Sequence, residues 1–339
     1  MSSRTLLNTL YVQTQGGYLR LDHDTVVLEV DRTPAAQVPL HHLRGICLFG
    51  NVLASPFLLH RCADDGRAVT WFTTHGRFRG RLAGPTSGNV LLRQAQYRAA
   101  EDAEKALSIA RWIVAAKMQA GITVMHRANR DYPDDYLVRT CECLRQLKRK
   151  LDSQNGIDGI RGIEGRAARI YFAAFPKLIR SEQLIFLGRT KRPPRDPVNA
   201  ALSFTYAILA QNCASALEGV GLDPQVGFLH AIRPGRPSLA LDLMEEFRAG
   251  FADRLVLTLL NRRQLKADDF EHRVGGAVML NENGRKTLLT AYEQRCKEET
   301  KHPLLKESVA IGLLPHLQAR ILARYIRGDV AKYVGYSWR

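Results

Sequence analysis

The chain has 339 residues, 45% of them hydrophobic, which is enough for two domains with separate cores. Its 49 Lys and Arg against 33 Asp and Glu give a formal net charge of +16, which favours polyanionic partners, nucleic acid above all. No run of about 18 apolar residues is present, which argues against a membrane-spanning helix. An anionic membrane surface is the rival partner, and solubility alone is the other use of such a charge.

The six cysteines and the first residues bear on the cellular compartment. Only Cys141 and Cys143 are close in sequence, and no second pair completes a zinc site. The N-terminal residues lack the apolar run and cleavage site of a secretory signal. These patterns predict free thiols in a reducing, cytoplasmic compartment.

Short β-type runs dominate the first 95 residues. They are rich in β-branched and aromatic residues and are bounded by Gly, Asp or Pro. One short helix is expected at residues 55–63. The predicted strands are residues 10–13, 18–21, 25–30, 45–48 and 68–72.

From about Asn89 onward the hydrophobic period becomes that of helices, and residues 101–118 place Ala106, Ile109 and Ile113 on one face. Further helices are predicted at residues 134–151, 166–185, 198–218, 238–263 and 304–327, and a small hairpin or irregular segment at residues 266–287. The fold class is therefore α+β. A small N-terminal β-strand domain, residues 1–95, precedes a larger all-α-helical domain, residues 96–339.

Residues 226–263 contain the first candidate site. Pro234 and Pro237 prevent a continuous helix, so a new helix begins near Ser238. Asp242 and Glu245 are three residues apart, opposite its apolar face, and His230 precedes them. One imidazole and two carboxylates can hold Mg²⁺ or Mn²⁺. A solvated acidic pair and a hydrogen-bonded core histidine are the alternative interpretation.

A third carboxylate, Glu164, comes just before the helix predicted at residues 166–175. An acid there stabilises the helix dipole, so a capping role is the alternative to metal binding. Arg233 and Arg236, near the first site, can contact phosphate or neutralise the nearby acids.

Several motifs occur together in one order along the chain. They are Glu164 in E-G-x-x-A-x-x-Y-F, Asn199 in R-P-P-x-D-P-V-N-A-x-L-S-F-x-Y, and G-F-L-H followed by D-L-x-E-E-F-R. With the opening segment LNTLYVQTQGGYLRLDHDTVVL, this order resembles the CRISPR-associated integrase of the adaptation stage, the CRISPR-associated protein one family, over nearly the whole chain. The length and the ending ARYIRGDVAKYVGYSW resemble the version found in subtype I-C systems.

The resemblance implies a DNA endonuclease and integrase that joins the 3′-hydroxyl of a foreign DNA fragment to a CRISPR repeat array during spacer acquisition. Carried onto this chain, Glu164, His230 and Glu245 bind Mg²⁺ or Mn²⁺, and Asp242 stands beside the ion as a fourth catalytic residue. The implied partners are double-stranded DNA fragments, CRISPR repeat DNA, a second copy bound through the β domain, and the small second adaptation protein. No membrane partner is implied.

Six basic residues are the candidates for DNA contact, with a solvated basic loop as the alternative interpretation. They are Arg189, Lys191, Arg192, Arg195, Arg233 and Arg236. Two rival functions remain open: a free-standing metal-dependent nuclease acting on branched or single-stranded DNA, and a non-catalytic DNA-binding scaffold.

Overall fold

The computed structural model describes residues 8–82, 84, 90–181 and 183–338. Its N-terminal region is rich in β-strands and the rest is mostly helical, which confirms the predicted fold class at this level. Residues 1–7, Asn89 and residue 339 lie outside the described residues, and with them the outer limits of the two predicted domains. Within the described ranges, no helix has both the length and the apolar character needed to cross a membrane.

The N-terminal region holds two four-stranded sheets, ordered β1-β5-β7-β8 and β4-β3-β2-β6. The helix α1 (Pro56–Asp64) is capped by Ser55, whose Oγ accepts the N–H of Leu58. The strands are β1 (Asn8–Val12), β2 (Tyr18–Asp22), β3 (Thr25–Val30), β4 (Thr33–Pro39), β5 (Leu43–Phe49), β6 (Leu53–Ala54), β7 (Ala68–Phe72) and β8 (Phe78–Arg81).

All five predicted strands and the predicted helix of this region are present, but β4, β6 and β8 were missed. Pro34 and Pro39 obscure β4 in the sequence, because proline cannot donate to a ladder. The structure tolerates both because β4 is the edge strand of its sheet.

The helical region contains nine helices within the described residues. A π-helical turn, Arg248–Asp253, joins α7 to α8. The helices are α2 (Val90–Glu101), α3 (Ala103–Asp131), α4 (Asp135–Arg149), α5 (Ile157–Ala174), α6 (Pro197–Gly219), α7 (Ser238–Phe247), α8 (Arg254–Asn261), α9 (Glu282–Lys297) and α10 (Leu314–Arg327).

The prediction of an all-α-helical region was wrong in one respect, because two short hairpins interrupt it. One pairs β9 (Phe270–His272) with β10 (Val278–Leu280), as expected within residues 266–287, but the end of that range is wrong because α9 begins at Glu282. The other pairs β11 (Glu299–Lys301) with β12 (Ser308–Ala310), where the last helix was predicted to begin. Helix α10 starts only at Leu314, followed by Pro315, a residue favoured in the first turn.

The bounds of α5 also correct the prediction. The helix predicted at residues 166–185 begins at Ile157 and ends at Ala174, so Glu164 lies inside it and does not cap its start. Gly159, Gly162 and Gly165 lie within the helix despite their low helix propensity. Packing against α3 and α4 stabilises it, and tertiary contact commonly outweighs local propensity.

Aromatic stacking joins the β-rich and helical regions. Phe49 stacks on Phe72 with ring centroids 5.0 Å apart, and on Phe204 of α6 at 5.9 Å. The Tyr11 hydroxyl on β1 donates a 2.9 Å hydrogen bond to Glu293 Oε1 on α9. The division near residue 95 remains a prediction, and α2 runs through that position.

Candidate metal centre and its basic rim

The carboxylates of α7 are buried. Asp242 is 0% exposed and Glu245 is 3% exposed, so their interpretation as a solvated pair is wrong. Helix α7 packs against α3 and α6, which closes the side that an amphipathic helix usually leaves to water. Buried carboxylates need hydrogen bonds or counter-charges, and both are present here.

Asp242 organises the segment that precedes α7. Its Oδ2 accepts the N–H groups of Phe228 and Leu229 at 2.6 and 2.9 Å, and its Oδ1 accepts the N–H of His230 at 2.9 Å. A Cβ at Gly227 would lie only 2.7 Å from Asp242 Oδ2, so this close approach requires glycine. The segment thus folds back onto the carboxylate.

His230 is held by the same carboxylate. Its Nδ1 lies 2.6 Å from Asp242 Oδ1, and because an ionised carboxylate only accepts, the imidazole carries a proton at Nδ1. The unprotonated Nε2 of the neutral ring is then the nitrogen available to a cation.

Three helices bring Glu164, Glu245 and a lysine together. Lys117 of α3 bridges Glu164 of α5 and Glu245 of α7, with its Nζ 2.8 Å from Glu245 Oε2 and in direct contact with Glu164 Oε1. Glu245 Oε2 makes no hydrogen bond of good geometry, so its contact with Lys117 is an ion pair rather than an aligned hydrogen bond. Sequence reasoning missed Lys117.

Arg248 completes the counter-charge of Glu245. Its Nη1 donates a 2.6 Å hydrogen bond to Glu245 Oε1, and its guanidinium lies 4.6 Å from the centroid of the Tyr206 ring. Burial alone raises the pKa of Glu245, but Arg248 and Lys117 hold that pKa well below its usual range. Glu245 is therefore ionised at neutral pH.

The π-helical turn ends in another buried carboxylate, Asp253. Asp253 accepts hydrogen bonds from the hydroxyls of Tyr171, at 2.9 Å, and Tyr206. Burial raises the pKa of Asp253, against the hydrogen bonds and Arg248. Tyr206 thus links the Arg248 guanidinium to Asp253.

The donor set fits a hard divalent cation in chemistry. Glu164 and Glu245 present oxygens to one shared cationic group, the Lys117 ammonium, and His230 adds a nitrogen nearby. Two carboxylates and an imidazole suit Mg²⁺ or Mn²⁺. Within the described residues, no three His, Cys, Asp or Glu side chains already stand as a complete metal-binding group.

The six basic candidates fall into two groups. Lys191, Arg192, Arg195 and Arg233 are exposed and Arg236 is half-buried. The pKa of Lys191 is lowered by desolvation and by the positive charges of Arg248 and Arg189. The Lys191 ammonium therefore lies close enough to the candidate metal centre to interact with its charges.

Arg189 is different because its charge is used inside the protein. Its Nη1 donates to Asn199 Oδ1 at 2.6 Å and its Nη2 to Ser203 Oγ at 3.1 Å, both on α6. The guanidinium also lies 5.3 Å from the Tyr206 ring centroid. These contacts attach the loop that carries Arg189 to the first turns of α6 and stabilise it there.

A second group that sequence reasoning missed surrounds Glu246, next to Glu245. Glu246 is 0% exposed, and its Oε2 accepts the Gln318 side-chain amide at 2.9 Å and the Tyr336 N–H at 2.7 Å. The Tyr333 hydroxyl donates to Oε1, and Trp338 Nε1 donates to the Glu246 backbone oxygen at 2.9 Å. Burial raises the pKa of Glu246 to about 7, against these hydrogen bonds. The C-terminal segment is thereby fastened to α7.

The fold and these residues match one protein family. The family model described as CRISPR associated protein Cas1 matches residues 10–294. A CRISPR-associated endonuclease Cas1 from Moorella thermoacetica is 49% identical over 98% of this chain and 99% of its own length. The chain belongs to the Cas1 family, which confirms the family suggested by the motifs. The predicted enzyme class, a CRISPR-associated endonuclease, is confirmed as well.

Solved structures share the fold at lower identity. A casposase bound to integration product superposes with a TM-score of 0.85 and 23% identity, over 97% of this chain and 93% of that one. A Cas6-RT-Cas1–Cas2 complex contains a chain with a TM-score of 0.83 and 22% identity, covering 99% of this chain and 36% of that one. These likenesses concern the fold.

Proposed function

We propose that this protein is a metal-dependent DNA endonuclease and integrase that joins the 3′-hydroxyl of a DNA fragment to a CRISPR repeat array. One observation carries the proposal: the Glu164 and Glu245 carboxylates, from separate helices, meet at one cationic position beside an imidazole fixed by Asp242. Family membership supports the same conclusion. The casposase bound to integration product shows that this fold is compatible with strand joining.

In this proposal Glu164, Glu245 and His230 Nε2 hold Mg²⁺ or Mn²⁺. When bound, the ion would neutralise charge on the attacked phosphate and lower the pKa of the attacking hydroxyl. Asp242 is the positioning residue, since it fixes the ring tautomer and the loop carrying His230. Arg248 keeps Glu245 ionised and in place.

The exposed basic residues near the centre supply the phosphate contacts. Arg192, Arg195 and Arg233 can neutralise DNA phosphates without leaving an internal partner unpaired, and Lys191 and Arg236 join them. Arg189 takes part only through the position of the loop, because its guanidinium hydrogen-bonds α6.

Strand joining separates this function from its rivals. Purified protein is given a duplex with free 3′-hydroxyl ends, a supercoiled repeat plasmid and Mn²⁺. Covalent fragment–plasmid products are expected; cleavage without joining would favour the free-standing nuclease. Glu164→Ala, His230→Ala and Glu245→Ala should each abolish joining, whereas Glu104→Ala, an exposed acid on α3, is the matched control. DNA binding without joining or cleavage by the wild type would favour the non-catalytic scaffold, and joining retained in all three variants would show that the proposed metal site is wrong.

The assembly and setting complete the proposal. The protein forms a homodimer through its β-rich region and binds Cas2, the small second adaptation protein, in the cytoplasm of a subtype I-C system. The fold's presence in a Cas6-RT-Cas1–Cas2 complex supports the partner. Light scattering of the chain alone and with its neighbouring Cas2 tests it: a monomer that stays monomeric with Cas2 would contradict both contacts.

A further inference from the structure

The cation between the two carboxylates belongs to the protein itself. The Lys117 side chain is 15% exposed, and its ammonium touches Glu164 Oε1 and Glu245 Oε2. The Glu245 side chain is almost fully buried, so the charge at Oε2 has little solvent to stabilise it. Arg248 neutralises Oε1 of the same carboxylate. Lys117 therefore neutralises Glu164 Oε1 and Glu245 Oε2, two oxygens to which Arg248 forms no ion pair.

The same oxygens are the ones assigned to the metal. A divalent ion such as Mg²⁺ binds carboxylate oxygen at about 2.0–2.1 Å, so an ion that bridges Glu164 Oε1 and Glu245 Oε2 would occupy the position now filled by the Lys117 ammonium. The two cations would also repel each other strongly at such a distance. Binding of the ion and the Lys117 contacts are mutually exclusive.

The lysine side chain can make this exchange without unfolding the site. Its charge sits on a flexible four-carbon stem, and the partial exposure of Lys117 gives the ammonium a short path to water. The exchange raises the charge between the carboxylates from one to two, which favours divalent ions over Na⁺ and K⁺. A monovalent ion would have to displace a tethered charge equal to its own.

We infer that Lys117 is the internal counter-ion of the metal centre, and that a divalent cation binds between Glu164 and Glu245 only by displacing its ammonium. The inference rests on the metal site proposed above. Lys117 thereby holds the two carboxylates in place before the ion arrives and sets the affinity and valence selectivity of the site.

Calorimetric titration with Mn²⁺ alone, without DNA, tests the displacement. Lys117→Met removes the competing charge and should tighten Mn²⁺ binding by roughly tenfold or more. The metal-free variant should also melt at a lower temperature, because it leaves buried carboxylates short of a counter-charge, and Mn²⁺ should raise its melting temperature more than it does for the wild type. Lys105→Met, an exposed lysine on the same helix, should match the wild type throughout.

Two outcomes distinguish failure of the counter-ion role of Lys117 from failure of the proposed metal site. If Lys117→Met binds Mn²⁺ as weakly as the wild type or more weakly, while Glu164→Gln loses binding, the metal site stands and the counter-ion role is overturned. If Glu164→Gln binds Mn²⁺ as the wild type does, the metal site itself is wrong.

A second test uses only the wild-type protein, so it does not depend on whether a variant folds. Amine acylation followed by mass spectrometry should show Lys117 protected without metal and more reactive when Mn²⁺ is added, because displacement frees the ammonium. Lys105 should react equally in both conditions. A Lys117 whose reactivity stays constant or falls with saturating Mn²⁺ would contradict the exchange.

Discussion

The Asp242 carboxylate lies 2.6 Å from His230 Nδ1 and also accepts the N–H groups of Phe228, Leu229 and His230 itself. One buried side chain therefore fixes both the backbone and the ring of the residue that presents Nε2. Orientation of the imidazole and stability of the loop are properties of the same contact.

Replacement of Asp242 should separate these two effects. Asp242→Ala leaves the buried N–H groups of Phe228 and Leu229 without an acceptor, each costing about 1–3 kcal/mol in the free energy of unfolding, and also frees the part-buried N–H of His230. Asp242→Asn keeps most of the shape but removes the charge that fixes the ring, so Mn²⁺ affinity should fall about 10–100-fold. Urea unfolding and calorimetry measure the two quantities. An Asp242→Asn protein with wild-type Mn²⁺ affinity would contradict the positioning role.

Arg248 should govern the acid stability of the centre. The folded-state pKa of Glu245 is held well below its unfolded value, so its contribution to stability is present above the unfolded pKa and is lost as the pH falls through the folded one. Arg248→Met weakens this depression and should move acid unfolding to a higher pH. At neutral pH it should cost about 3–5 kcal/mol, as breaking a buried ion pair does.

Circular dichroism against pH and urea titration at pH 7 measure both effects of Arg248→Met. Arg139→Met, an exposed arginine on α4, is the control and should leave both curves unchanged. Equal acid midpoints for the wild type and Arg248→Met would show that Lys117 alone holds the Glu245 charge.

Glu293 should make stability fall with rising pH. Burial raises the pKa of Glu293 above its ordinary value of about 4.5, against the Tyr11 hydrogen bond. The folded state then binds more protons than the unfolded state between the two pKa values, so this residue lowers the free energy of unfolding as the pH rises through that interval. Glu293→Gln should flatten the slope and raise stability relative to the wild type at pH 8.

Urea unfolding at a series of pH values checks the Glu293 prediction. Tyr11→Phe removes the donor that favours the charged form, so it should steepen the same slope. If Glu293→Gln and the wild type keep parallel profiles, the carboxyl does not titrate in this interval.

The basic loop at residues 188–197 should contain two kinds of arginine. Arg192→Gln with Arg195→Gln should weaken duplex binding and reduce the slope of log K against log salt by about 1.8, since each phosphate contact contributes about 0.9. Arg189→Gln should instead lower the melting temperature, because Asn199 Oδ1 keeps only the Thr190 N–H and Ser203 Oγ loses the Arg189 donor. Fluorescence anisotropy at several salt concentrations and thermal melting measure these effects. An unchanged salt slope in the double variant would remove the loop from the DNA interface.

The C-terminal segment should be needed for a stable α7. Ending the chain after Lys332 removes Tyr333, Tyr336 and Trp338, and leaves the buried Glu246 with Gln318 as its remaining donor. The expected result is a large loss of stability and of strand joining together. Glu246→Gln keeps the shape and should preserve folding. A truncated protein that melts at the wild-type temperature would contradict this role.

Local sequence patterns predicted the elements whose stability is local. The run at residues 25–30 is a strand and residues 198–218 form a helix because β-branched content and helical periodicity agree with the packing. The start of α5 was misplaced because three glycines lowered its helix propensity, whereas its packing against α3 and α4 is a long-range property.

The centre was predictable only in part for the same reason. His230, Asp242 and Glu245 lie within one short stretch, and their order along the chain suggested a common site. Lys117 lies 47 residues before Glu164, in a helix whose sequence gives no sign of catalysis, and only the packing of α3 beside α5 and α7 brings it into contact. Arg248 lies three residues after Glu245, a spacing that allows an ion pair on one helix face. That spacing could have indicated from the sequence that Glu245 has an internal counter-charge.

The π-helical turn Arg248–Asp253 separates the buried acids Glu245 and Asp253. The number of residues between these two acids is therefore as important as their identity. Loss of one residue there would rotate α8 by about 100° relative to α7 and carry Asp253 away from Tyr171 and Tyr206. Substitutions within the turn are limited by contacts such as that of Gly250, where a Cβ would lie 2.3 Å from the Trp338 ring. Changes in chain length should therefore be rarer in this turn than in the loops on either side of the centre, and sequence alignments of relatives should be gapless across it.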